Sequence, residues 1–93
     1  MSIAVYSTRV CPYCVMAKRL LDSKGVTYQD LRIDENAQAR DEMRRRAPAA
    51  RTVPQIFIGE RHVGGFDELA ALERAGELDA LLLPYRHPEN DRG

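Results

Sequence analysis

The sequence predicts an α/β domain built on a mixed sheet, and three observations carry that expectation. A short apolar run, Ile3 to Ser7, leads into Cys11-Pro12-Tyr13-Cys14 and then into a segment with helical periodicity. A second β-rich run, Val26 to Ile33, follows that helix. Further on, Gln55 to Ile58 and Arg61 to Gly64 flank Gly59-Glu60. Strands joined through a helix pair in parallel by a right-handed crossover, whereas a two-residue Gly-X connection makes an antiparallel hairpin of the type II′ kind. One sheet should therefore contain both pairings.

The elements follow in order. Ile3 to Ser7 is short, apolar and β-branched, as expected of a strand buried on both faces. From Pro12 to about Lys24, Cys14, Ala17, Leu20 and Leu21 mark one helical face and Lys18, Arg19 and Asp22 the other, with Gly25 as the stop. Val26 to Ile33 is the second strand. Asp34 or Asn36 can cap a second helix, Ala37 to about Ala47, whose thin stripe of Ala39, Met43 and Ala47 should pack lightly before Pro48-Ala49-Ala50 breaks it. After the hairpin, Asp67 is expected to cap a third helix carrying Leu69, Leu72 and Ala75, which Gly76 stops. Leu78, Leu81 and Leu82 suggest one more helical piece. Residues 1–83 thus form one domain, and 84–93, with its charges and two prolines, is expected to be a frayed tail.

Composition narrows the function. Ninety-three residues make one domain that buries about 60–65% of its unfolded surface, enough for a single core. Fourteen basic and fourteen acidic side chains cancel, so neither nucleic acid nor an anionic membrane is indicated. Residues 1–10 hold no cationic start with a long apolar stretch behind it, and no run approaches a membrane span. The expected location is the cytoplasm, where a cysteine pair is more often catalytic than structural.

Cys11 and Cys14 are the only cysteines. Pro12 has a backbone angle suited to the first helical position and no N–H to leave unpaired, so Cys11 falls at the N-cap. There its sulfur meets unpaired backbone N–H groups and the positive end of the helix dipole, which stabilise a thiolate, the nucleophile that opens disulfides. Cys14, one turn further in, is suited to close the disulfide as a resolving thiol. A zinc site needs about four ligands, and His62 and His87 do not form the second close pair that zinc modules show. A structural staple across four residues removes little unfolded-state entropy. Redox chemistry is the reading that remains strongest.

Two further motifs accompany the dithiol. In Thr52-Val53-Pro54, Pro54 must open the following strand or lie at its edge, and it pushes Val53 into an extended conformation with its N–H and C=O free to pair with a peptide. A proline that merely starts a strand would look the same. In Gly64-Gly65-Phe66-Asp67, two glycines let the backbone approach a ligand, and the helix start behind them favours a carboxylate. An ordinary strand-to-helix turn with an Asp cap would serve equally.

Taken together and in this order, Cys-Pro-Tyr-Cys, Thr-Val-Pro and Gly-Gly-Phe-Asp resemble the dithiol glutaredoxins, from Ile3 to about Leu83. The resemblance implies a thioredoxin fold, a central four-stranded mixed sheet flanked by three to four helices, with a cis peptide before Pro54. It implies a glutathione-dependent thiol-disulfide oxidoreductase that uses glutathione as co-substrate and no metal, and that acts on disulfide-bonded or glutathionylated proteins. Ribonucleotide reductase is a candidate among those. The protein should work as a monomer.

Carried over residue by residue, Cys11 would attack and hold glutathione as a mixed disulfide, and Cys14 would resolve protein disulfides. Glutathione would lie across Thr52, Val53 and Pro54, its cysteinyl backbone paired with Val53, beside a groove wall containing Tyr13. Gly65, the Phe66 N–H and the Asp67 carboxylate would take its γ-glutamyl end, and Arg51 its glycyl carboxylate. The family commonly has a lysine three residues before the first cysteine; here that position is Thr8, with Arg51 and Arg45 as substitute cations. Arg40, Arg44, Arg45 and Arg46 otherwise read as a solvated helix face. Two alternatives differ in kind. A redoxin fed by thioredoxin reductase would carry a tryptophan-containing segment near Gly64 to Leu69, and the chain has no tryptophan. A glutathione-ligated iron–sulfur carrier would suit a monothiol turn better than one with Pro12 and Cys14.

Overall fold

Ile3–Ser7 (β1) is buried along its whole length because it occupies the middle of the sheet. The computed structural model describes residues 2–86. The other strands are Gln29–Arg32 (β2), Gln55–Ile58 (β3) and Arg61–Gly64 (β4), in the order β2-β1-β3-β4. β1 pairs with β2 in parallel and with β3 antiparallel, and β3 pairs antiparallel with β4. The mixed sheet expected from the crossover and the hairpin is present. At the hairpin, Gly59 has φ +62° and Glu60 does not have a positive φ, as a turn with glycine first requires.

The helices are Pro12–Ser23 (α1), Ala37–Arg46 (α2), Phe66–Arg74 (α3) and Leu78–Leu82 (α4). Alternation along β1 and β3 sends side chains to opposite faces and so builds two cores. Ile3, Val5, Ile56 and Ile58 join Ala17 and Leu21 of α1, Leu69 of α3, and Leu78 and Leu82 of α4. Ala4, Tyr6 and Phe57 face Met43 of α2 and the adjoining Ala47. The second core is the smaller, in keeping with the thin stripe on α2.

Three details depart from the sequence expectation. The second strand is shorter than Val26 to Ile33: Val26 instead makes an isolated antiparallel bridge to Arg86, its side chain filling the first core. Burial rather than strand pairing explains its apolar character. Leu83–Tyr85 forms a 3-10 turn, so the docked chain runs to Arg86, beyond the boundary expected at Leu83. Residues 87–93, including His87, lie outside the described residues. Arg46, although exposed, is engaged with the protein and not only with solvent. Its guanidinium lies 3.9 Å from the Phe57 ring centroid and donates to the Tyr6 hydroxyl and the Gly59 carbonyl; the Tyr6 hydroxyl donates to Glu42.

Asn36 caps α2, its side-chain oxygen accepting from the N–H groups of Gln38 and Ala39. Asp34, the other candidate, ties down the segment between β1 and α1. It accepts the Arg9 N–H at 3.0 Å and a forked pair from Arg32 at 2.8 and 2.9 Å. The Arg32 guanidinium, helped by the Arg9 N–H, holds the Asp34 carboxyl well below its ordinary 3.8. A carboxyl whose folded value is depressed contributes stability that is complete above the unfolded value and is lost as pH falls through the folded one. Asp34→Asn should lower the melting temperature at neutral pH, with the gap to wild type narrowing as pH falls below 3.8. A gap of constant size across that range would contradict this role.

Candidate active site

Cys11 stands at the N-cap of α1 in an extended conformation, φ −151° and ψ 97°, with Pro12 at the first helical position. Its Sγ accepts the Cys14 N–H at 3.1 Å, and its carbonyl accepts the Val15 N–H. The local reason is the one the sequence supplied: proline satisfies the first turn without a donor, and sulfur replaces the oxygen of a usual cap. Cys11 and Cys14 are joined as a disulfide with their Cα atoms 5.2 Å apart. Cys11 is partly exposed, whereas Cys14 is 1% exposed. Only the first sulfur can meet a bulky substrate from outside.

The loop before β3 comes up beside it. The Val53 carbonyl oxygen lies 3.7 Å from Cys11 Sγ, and the Val53–Pro54 peptide is cis, as the resemblance implies. Neither the N–H nor the C=O of Val53 has a backbone partner among the described residues. Gln55 and His62 position this loop. Gln55 Nε2 donates to the Thr52 carbonyl at 3.0 Å, and its Oε1 lies 2.7 Å from His62 Nε2. The His62 ring stacks on Phe57 with centroids 4.6 Å apart, and Phe57 also carries Arg46. Gln55 was visible only as a strand residue and His62 only as a possible metal ligand. An exposed imidazole paired across a hairpin leaves no signature in sequence.

Across the loop, the start of α3 differs from expectation in one respect that matters. Its cap is Gly65, not Asp67. The Glu68 carboxylate reaches back to accept the Gly65 N–H at 2.7 Å, the backbone-directed half of a capping box. Gly64 has φ +115°, and a Cβ there would come 2.9 Å from Glu68 Oε1; one on Gly65 would meet the same oxygen at 3.3 Å and the Pro54 carbonyl at 3.5 Å. The glycine pair lets the Glu68 cap and the Pro54 loop close together. Asp67, relieved of capping, has a carboxylate with no hydrogen-bond or ion-pair partner among the described residues.

A groove of about 400 Å³ gathers Tyr13, Thr52, Val53, Pro54, Gly65, Phe66 and Asp67, with Glu68 as the one member that sequence reasoning missed. Tyr13 and Phe66 stack along it, centroids 6.3 Å apart. Arg51 is the exception among the expected residues. It lines a neighbouring groove together with Thr8, and that groove shares Thr52 and Val53 with the first. Arg45 lines neither groove, whereas Arg40 and Arg44 of α2 line the second.

A dithiol at a helix start, set against a cis-proline loop on this sheet, defines a thiol-disulfide oxidoreductase of the thioredoxin-fold class. The chain belongs to the glutaredoxin family, whose model matches residues 3–63. It is 55% identical over 80 residues to a glutaredoxin of Pseudomonas aeruginosa, covering 86% of this chain and 94% of that one. It is 52% identical over 81 residues to glutaredoxin 3 of Escherichia coli K12, covering 87% and 96%. Among solved structures, a buckwheat glutaredoxin–glutathione complex superposes with a TM-score of 0.79 at 31% identity, over 89% of this chain and 77% of that one. The solution structure of a Brucella melitensis glutaredoxin does so with 0.74 at 44% identity, over 88% of each. No helix among the described residues is long and apolar enough to cross a membrane.

The division between Asp67 and Glu68 is open to a direct check. Glu68→Ala should cost about 0.3–1.5 kcal/mol in urea denaturation, the usual size of a capping contribution, and Asp67→Ala less. The reverse order would return the cap to Asp67.

Proposed function

We propose that the protein reduces protein disulfides and glutathione mixed disulfides at the expense of glutathione, in a reducing compartment such as the cytoplasm. The observation that carries this reading is the Asp67 carboxylate, without a partner among the described residues, in the same groove as a Val53 backbone that has no backbone partner among them, beside the Cys11 sulfur. A γ-glutamyl group presents an ammonium for the carboxylate. A cysteinyl backbone presents an N–H and a C=O for Val53. The buckwheat relative, solved as a glutathione complex, supports the assignment by analogy.

The chemistry proceeds by thiol–disulfide exchange. With a glutathionylated protein, the Cys11 thiolate attacks the glutathione sulfur, the sulfur–sulfur bond breaks, and the protein leaves as a thiol. A second glutathione thiolate then attacks the Cys11–glutathione bond, releasing glutathione disulfide and restoring the Cys11 thiolate. With a protein disulfide, Cys11 forms a mixed disulfide with one protein sulfur. Cys14 attacks Cys11, releasing the second protein thiol and leaving the Cys11–Cys14 bond seen in the structure. Two glutathiones reduce that bond. Tyr13 and Phe66 wall the site, Gly65 and the Phe66 N–H face the γ-glutamyl carboxylate, and Arg51 stands toward the glycyl end.

Three outcomes are expected. Alkylation rate against pH should show Cys11 titrating well below the ~8.5 of a free cysteine. Cys11→Ser should lose all turnover, and Cys14→Ser should keep deglutathionylation while losing reduction of protein disulfides. Equal loss of both activities in Cys14→Ser contradicts the division of roles. Asp67→Ala should raise KM for glutathionylated substrates about threefold to tenfold, the scale of a partly exposed charge-assisted contact, and leave single-turnover reduction of hydroxyethyl disulfide by the reduced protein, without glutathione, unchanged. Equal damage to both substrates would remove Asp67 from the γ-glutamyl subsite.

A further inference from the structure

The second groove holds more cationic and apolar surface than a tripeptide can use. It has a volume of about 750 Å³ against about 400 Å³ for its neighbour. Arg40, Arg44 and Arg51 line it over a floor that includes Ile33, Met43 and Ala50, and no carboxylate lines it. Among the described residues the three guanidinium groups have no hydrogen-bond or ion-pair partner, although Lys18, Lys24 and Arg32 all pair with carboxylates. The first groove has the opposite character, with Asp67 and Glu68 and no cation. Thr52 and Val53 belong to both, so the two form one trench, negative at one end and positive at the other, with the Cys11 sulfur beside its midpoint.

We infer that the arginine groove receives an acidic stretch of the disulfide-bearing polypeptide, on the C-terminal side of the cysteine that Cys11 captures. The inference rests on the proposed attack by Cys11 and names the class of protein substrate it favours. An extended chain paired with Val53 continues past it at ~3.3 Å per residue, so alternate side chains on one face repeat at about 6.6 Å. Arg40 and Arg44, four apart on α2, are neighbours at about 6 Å on one helical face. Two acidic side chains at alternate positions therefore meet both arginines, while their methylenes lie on the apolar floor. The C-terminal direction follows from the proposed glutathione pose: with the γ-glutamyl end of the tripeptide at Asp67, the chain on the C-terminal side of its cysteine runs toward the arginines. A single glycyl carboxylate would occupy Arg51 and leave Arg40 and Arg44 unsatisfied.

The test is single-turnover reduction, by the reduced protein without glutathione, of disulfide-cyclised peptides with Glu, Gln or Lys two and four residues after the attacked cysteine. Leaving glutathione out separates failure of this inference from failure of the glutathione reading. At low salt the Glu peptide should react about tenfold faster than the Lys peptide, and the difference should largely disappear in about 0.5 M salt. The double variant Arg40→Gln/Arg44→Gln should narrow the difference to within about twofold, with unchanged reduction of hydroxyethyl disulfide as the check that it is folded and active. Arg44→Glu should reverse the order. Glu and Lys peptides reacting alike in wild type, or a preference that survives the double variant, would overturn the inference. So would an equal gain from glutamates placed before the cysteine.

Discussion

A sulfur placed where a helix begins, in front of backbone N–H groups that no helical carbonyl can reach, is the constraint around which the rest of the molecule is arranged. Those donors need an acceptor, and Cys11 Sγ takes the Cys14 N–H. For the arrangement to be useful the helix start must be held still and left open. Burying β1 on both faces supplies the first condition, and the Asp34 tie to Arg9 steadies the segment between strand and helix. Turning Cys14, Ala17 and Leu21 inward supplies the second. The same rotation of α1 that seats its core face leaves Cys11 partly exposed and Cys14 hidden, so packing alone makes the two sulfurs unequal.

The loop opposite is held with equal care by groups that never touch the sulfur. Phe57 points to the smaller core, where Arg46 and His62 lie against its ring. His62 fixes Gln55, and Gln55 holds the Thr52 carbonyl. The end of α2 and both strands of the hairpin thereby bear on the height of Val53 above the dithiol. Gln55 Nε2 donates to Thr52, so its oxygen accepts, and His62 donates from Nε2.

Zero net charge conceals a strong local order. Carboxylates gather where α3 begins and arginines where α2 faces the Val53 loop, with the reactive sulfur beside the boundary. A dipolar trench of this kind orients a ligand that has an amino group at one end and carboxylates at the other, and it does so without raising the protein's overall attraction for polyanions. Orientation and modest affinity suit an exchange enzyme, which must release each thiol it forms.

Patterns confined to one turn or one strand were legible in the sequence. The continuous apolar run of Ile3 to Ser7, the Gly-first hairpin at Gly59, the proline that sets Cys11 at a helix start, and the Thr-Val-Pro loop each act through bonds within a few residues, so the chain by itself determined them. The tertiary structure decided whatever depends on which group approaches from far along the chain. Glu68 displaces Asp67 as the partner of the cap because the Pro54 loop and the glycine pair set how closely that turn can fold. Arg44 and Arg45 are adjacent in sequence but about 100° apart around α2, and only the docking of that helix on Tyr6 and Phe57 turns Arg44 to the groove and Arg45 away. Val26 looks like a strand residue because it is apolar, yet its backbone pairs with Arg86. Local propensity specifies which conformations are available, and long-range packing selects among the side chains that those conformations present.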